Sequence, residues 1–320
     1  MYSWGDDMQD WVNPNAYRFD AARAAARAAD ADAAKANGPR AYHTRHEPVL
    51  ELTDPSKTVR SESANPLIVA VDVTGSMQTW PAEIFDRLPL LYQTLSQYRP
   101  DLEVSFVAIG DAHCDRFPLQ VTDFSKGYAL EERLKGLYGE GGGGGQARES
   151  YELFAYFVAH KVEVPAAAAR AAETGEKPFL VLFGDEGFYP EVNAKQAKHF
   201  LGAGFMKKVK SDELWRKVLE TWDLYHFRKD YDQGDADRQI RAQWADAIGE
   251  QRIVRLPAKE RAVDYAMGLV ARSWGHFDDF RGNLGARQSE RTVDAVANSI
   301  LAIDPAASRL TSGDWSIRGK

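Results

Sequence analysis

The sequence predicts an α/β fold, a doubly wound and mostly parallel six-stranded sheet with helices on both faces. Short apolar runs, too brief to be helices, recur through the middle of the chain. Helical patterns separate most of them, so the connections read as right-handed crossovers between parallel strands covered on both sides. Two of the runs close on an aspartate, Asp72 and Asp185, at the carboxyl side where open sheets of this kind place their ligands.

Taken in order, residues 1–60 read as an N-terminal extension. Residues 16–37 are rich in alanine, the strongest helix former, and Gly38-Pro39 is a stop signal. Large apolar residues are few there, which predicts a solvated helix. His43 and His46 lie three apart without a carboxylate or cysteine nearby, so they do not read as metal ligands. A domain is expected over 61–275. Its first strand, 67–71, is an unbroken apolar run that reads as central and buried. Trp80-Pro81 opens a helix in which Ile84, Leu88, Leu91, Leu95 and Tyr98 share one face. Pro89 inside that pattern predicts a kink or a second segment.

The second strand covers 103–110 and the third 118–124. About seven residues separate them, too few for a crossover, so they should pair antiparallel at an edge. A glycine run follows at 139–145, broken only by Glu140. No Lys-Ser/Thr pair comes after it, so it is not a nucleotide loop. Residues 150–164 read as a deeply buried helix, extended by 165–172. The fourth strand is 178–185. Helices near 193–201 and 212–220, a strand at 223–227, a helix near 237–248 and a strand at 252–256 follow. The last helix of the domain gathers Ala262, Val263, Ala266, Leu269 and Val270 on one face. Residues 276–320 hold one more helical pattern, 292–303, and a polar tail.

Composition narrows the function. With 320 residues, 44% apolar and 27% charged, the chain can build an ordinary core without staples. A formal charge of −7 argues against nucleic acid as the main partner. The single cysteine, Cys114, permits no internal disulfide and fits a reducing compartment. The first residues are acidic and aromatic, unlike a signal peptide, and no apolar run is long enough to span a bilayer. A cytoplasmic protein with no membrane association is the expectation.

The chemistry gathers after the first strand. Asp72, Thr74 and Ser76 form the pattern D-x-T-x-S, with Gly75 between the hydroxyls. Oxygens at every second position can converge on one hard divalent cation. Capping of the next helix by Asp72 and Thr74 is the plainer alternative. His113, Cys114 and Asp115 have no partners that would make them catalytic and read as loop residues.

D-V-T-G-S-M resembles the first loop of the metal-ion-dependent adhesion site (MIDAS) of von Willebrand factor A domains, and F-L-V-L-F-G-D-E-G resembles the strand carrying that family's distal aspartate. The resemblance covers roughly residues 60–275 and points to the intracellular prokaryotic type. It implies the strand order 3-2-1-4-5-6 with the third strand antiparallel. It also implies a Mg²⁺ site, or one for Mn²⁺ or Ca²⁺, ligated by Asp72, Thr74, Ser76 and Asp185. Where the family presents a threonine after its glycines, this chain has Gly145-Gln146, which makes Gln146 the candidate. Asp111, Glu149 and Glu186 are candidate acids at the rim.

The resemblance further implies a protein-binding module without catalytic activity. The cation bridges to an Asp or Glu of a partner, commonly in complexes with AAA+ or MoxR-type ATPases or in stress and phage-defence systems. An alternative is a Mg²⁺-dependent phosphohydrolase using Asp72, but a second aspartate two residues on is missing; Thr74 stands there. A scaffold whose metal site has degenerated is the third possibility.

Overall fold

The computed structural model describes residues 48–139, 146–205, 208–232 and 234–303. The helix expected at 16–37, His43, His46, the glycines 141–145 and the polar tail lie outside the described residues.

After a two-residue strand, β1 (Val59–Arg60), the chain enters β2 (Pro66–Asp72), every residue of which is buried. Alternate side chains of a strand take opposite faces. Leu67, Val69 and Val71 accordingly join one core, and Ile68 and Ala70 the other. With both faces apolar, β2 belongs in the middle of the sheet. Helix α1 (Trp80–Tyr98) then packs Ile84, Leu88, Leu91 and Leu95 into the first core. It continues through Pro89 as one helix and not as two segments. Proline withholds one backbone donor, but Leu88, Leu90 and Leu91 around it are buried, and tertiary packing supplies most of a helix's stability.

β3 (Glu103–Ile109) pairs parallel with β2 along its length, and β4 (Leu119–Val121) returns antiparallel on β3, as the short connection predicted. Helix α2 (Ala129–Gly136) carries Glu131 and Glu132 in its first turn and sends Leu130 and Leu134 into the core. Next come β5 (Arg148–Glu149), α3 (Tyr151–Lys161), β6 (Val162–Glu163) and α4 (Pro165–Thr174). The sequence suggested that α4 would extend α3. The two are separate, because β6 leaves the helical path to pair with β1 and Pro165 opens a new first turn.

β7 (Phe179–Gly184) lies along the other side of β2. The alternation then runs through β8 (Gly187–Phe188), α5 (Ala194–Leu201), α6 (Ser211–Thr221), β9 (Asp223–Arg228), α7 (Asp235–Ile248), β10 (Ile253–Arg255) and α8 (Ala262–Ser273). Past residue 275 the sequence suggested a single helix. Two are present among the described residues, α9 (Phe277–Gly285) and α10 (Glu290–Leu301). Their Phe280 and Ile300 press against Gly268 of α8, where a Cβ would meet them at 2.6 and 2.3 Å. α9 escaped notice because its sequence is polar and carries two glycines, Gly282 and Gly285.

The six-stranded sheet is ordered β4-β3-β2-β7-β9-β10, with β4 alone antiparallel. Numbered along the chain, those strands read 3-2-1-4-5-6, the order the family resemblance implies. Helices α1, α8, α9 and α10 cover one face, and α3, α5, α6 and α7 the other. The order runs outward in both directions from β2 and β7, so the switch point, where such sheets hold ligands, lies between the ends carrying Asp72 and Asp185. No helix of the described residues is long and apolar enough to cross a membrane.

Candidate metal centre

β2 ends on Asp72, and Asp185 directly follows β7, which sets two fully buried carboxylates on adjacent loops. The loop after β2 folds back onto its own aspartate. Thr74 donates its backbone N–H (2.8 Å) and its hydroxyl (2.5 Å) to Asp72 Oδ1. Thr74 Oγ1 lies 3.2 Å from Ser76 Oγ, which donates to Asp185 Oδ1 at 2.9 Å. With each hydroxyl's one proton given to its carboxylate, the Thr74 and Ser76 oxygens lie side by side as acceptors, and the oxygens of Asp72, Thr74, Ser76 and Asp185 form one line across the switch point.

Two residues that the sequence did not single out close the ends of this line. Tyr151, the first residue of α3, donates its hydroxyl to Asp72 Oδ2 at 2.5 Å. The hydroxyl passes over Gly184, where a Cβ would stand only 2.2 Å from it. Lys229, the first residue after β9, donates its ammonium to Asp185 Oδ2 (2.5 Å) and to the Ser76 carbonyl (2.8 Å). For Lys229 the signal was its place at a strand end, shared with Asp72 and Asp185. For Tyr151 no local signal existed; only the fold brings α3 across β7.

Gln146 is exposed, and no hydrogen bond between described residues ties it to this line. The buried group of that loop is Glu149, 1% exposed. β5 pairs parallel with β8, setting Arg148 opposite Gly187 and Glu149 opposite Phe188. The pairing brings Glu149 beside Glu186, whose carboxyl reaches both Glu149 and Ser76. Asp111 sits farther along the edge, accepting from Ser150 Oγ (3.2 Å) and Tyr189 Oη (3.1 Å).

So many acids under one roof resist ionisation together. Burial, and then the charge of Asp185, push Asp72 up to about 7. Glu186 is raised to about 7 by burial and then by Asp72 and Asp185. Burial and the charge of Asp72 lift Glu149 as well. The Cys114 thiol is pushed up to about 12 by burial and by Asp115 and Asp111, so it carries no reactive thiolate.

Among the described residues no group of three or more His, Cys, Asp or Glu side chains is placed to hold a metal ion as the side chains stand. The donors here are carboxylates mixed with hydroxyls. An all-oxygen set of this kind suits a hard divalent ion, and Asp72, Thr74, Ser76 and Asp185 are the residues that could hold one. A separate concavity of about 370 Å³ lies beyond β9 and β10. Its charges are already paired, Arg228 with Asp237, Arg255 with Asp230 and Arg241 with Glu250, which makes it a salt-bridge network.

No family model matches the chain, and no curated protein does. Among solved structures it is similar to the pilus adhesin SpaC from Lactobacillus rhamnosus GG, at 10% identity and TM-score 0.45. That match covers 70% of this chain and 32% of the adhesin, so the chain spans about a third of that protein's length. An open conformation of the same adhesin matches at 8% identity and TM-score 0.43, over 71% of this chain and 31% of the adhesin. The VWA domain of SpRpn10 matches at 9% identity and TM-score 0.34, over 62% of this chain and 94% of that domain. The fold description rests on the sheet order and not on these distant likenesses.

Proposed function

We propose that the chain is a metal-dependent protein-binding module, in which Asp72, Thr74, Ser76 and Asp185 hold a divalent cation, Mg²⁺ or a Mn²⁺ or Ca²⁺ ion, at the carboxyl edge of the sheet. The observation that carries this is the unbroken line of oxygens across the switch point, from Asp72 Oδ1 through Thr74 and Ser76 to Asp185 Oδ1. When bound, the cation supplies a positive point that an Asp or Glu of a partner protein can meet with a charge-assisted contact. The chain's own residues place the ion: Tyr151 and Thr74 orient Asp72, while Ser76 and Lys229 orient Asp185.

A phosphohydrolase has less support. The residue two beyond Asp72 is Thr74, and its hydroxyl is spent on Asp72 itself, so no general acid stands there. Partnership with an AAA+ or MoxR-type ATPase in the cytoplasm is the proposed setting.

Affinity purification of the tagged chain from its native host tests the proposal. Bound protein is expected with Mg²⁺ present, and its loss is expected with chelator or with Asp72→Ala. Equal recovery under all three conditions would overturn the metal-dependent function.

A further inference from the structure

The four carboxyl groups nearest the switch point differ in one respect. Asp72 and Asp185 have every carboxyl oxygen engaged by a hydroxyl, a backbone N–H or the Lys229 ammonium. Glu149 and Glu186 are 1% and 4% exposed, yet each has one oxygen, Oε2, without a hydrogen-bond partner among the described residues. A buried carboxylate without a partner is costly, far more so than an unpaired neutral group.

The backbone around the two glutamates is, by contrast, held tightly. Gly187 N–H donates to the Ala147 carbonyl at 3.2 Å, which locks β5 to β8. From α7, Gln243 donates to the Phe188 carbonyl (2.7 Å) and accepts from its N–H (3.2 Å), while Trp244 Nε1 donates to the Glu186 carbonyl (2.9 Å). Gly187 leaves room for this clamp, since a Cβ there would lie 2.4 Å from Gln243 Oε1. The main chain is therefore fixed while one oxygen of each carboxyl is left without a partner among the described residues, an arrangement suited to preorganised ligands. Nor is Lys229 free to neutralise them, because its ammonium is committed to Asp185 and Ser76.

We propose that Glu149 and Glu186 are themselves ligands of the cation, so that the chain holds a divalent ion with its own carboxyl groups before any partner arrives. The inference rests on the cation site proposed above and adds residues that site does not require. Glu186 already meets Ser76 and Glu149, and a glutamate side chain can turn toward an ion without moving the clamped backbone. Glu149 then serves where Gln146 was expected, three residues farther along the same loop. A site rich in carboxylates favours Ca²⁺ or Mn²⁺ over Mg²⁺, which demands a stricter shell and gives up its waters reluctantly.

Isothermal titration of the purified full chain with CaCl₂, MnCl₂ and MgCl₂ tests this, using wild type, Glu149→Gln, Glu186→Gln, the double variant and Asp72→Ala. Wild type should bind Ca²⁺ and Mn²⁺ more tightly than Mg²⁺. Each single glutamine variant should weaken Ca²⁺ binding roughly tenfold or more, as loss of a ligand or its support does. Metal-free thermal unfolding of the glutamine variants should be no lower than wild type, and a single cooperative transition in Asp72→Ala establishes that it too folds. If the double variant binds as tightly as wild type while Asp72→Ala does not bind, the glutamates share a proton or a water instead, and only the assignment of Glu149 and Glu186 falls. If wild type itself binds no divalent ion, the assignment and the cation site fall together.

Discussion

The two pairs of acids at the carboxyl edge of the sheet are buried alike but supported oppositely. Asp72 and Asp185 stand at the ends of the long strands β2 and β7, and the surrounding fold sends Tyr151, Thr74, Ser76 and Lys229 to meet their oxygens. Glu149 and Glu186 stand at the short pair β5 and β8, where the backbone is clamped but one oxygen of each carboxyl has no partner among the described residues. Burial alone does not decide whether the oxygens of a carboxylate are met. The distinction comes from whether the chain supplies partners for the head group, because an unmet buried charge costs several kcal/mol until a proton or a cation arrives.

Breaking the well-supported pair should have the largest effect. Gly184→Ala puts a methyl group where the Tyr151 hydroxyl passes, so it both crowds the core and displaces a hydrogen bond. A loss of about 3 kcal/mol is expected in urea unfolding. Tyr151→Phe keeps the packing and removes only the hydroxyl from Asp72. It should cost about 1–2 kcal/mol in the same assay, since a buried acceptor is left without its donor.

One acid of each pair, raised by burial among its neighbours, should make stability depend on pH. Asp72 and Glu186, raised to about 7, keep protons in the folded chain that the unfolded chain releases near its ordinary carboxylate range. Metal-free stability is therefore present at low pH and is lost as pH rises from about 4 through about 7. Urea unfolding in chelator should show a more stable protein at pH 5 than at pH 8. Glu186→Gln removes one of the competing charges among Asp72, Asp185 and Glu149, and should stabilise the metal-free chain by roughly 1 kcal/mol at pH 8. Gln146→Ala should have the smallest effect. The side chain is exposed, so thermal unfolding should leave stability within about 0.5 kcal/mol, and calcium titration should give unchanged affinity.

The strands and the aspartates at their ends were legible because both obey local rules. An apolar run of 67–71 cannot face water, and Asp72 and Asp185 had to fall where those runs stop. The short link before β4 likewise dictated antiparallel pairing. Two features have causes that lie elsewhere in the chain. Pro89 does not break α1, because the hydrophobic face of the helix is buried on both sides of it. α9 forms over Gly268, whose missing side chain makes the room.

Within the site, sequence alone determined that a carboxylate and two hydroxyls would stand together after β2, since D-x-T-x-S spacing sets them on one loop. The family resemblance added Gln146, where the family presents a threonine. Only tertiary structure decided that Glu149 would be the buried member of that loop, and that Tyr151 and Lys229 would take the free oxygens of Asp72 and Asp185. Those contacts join residues 79 and 44 positions apart, and nothing local announces them. Spacing along the chain determines which donors share a loop. The crossing of strands at the switch point determines which of them find partners and which are left without one.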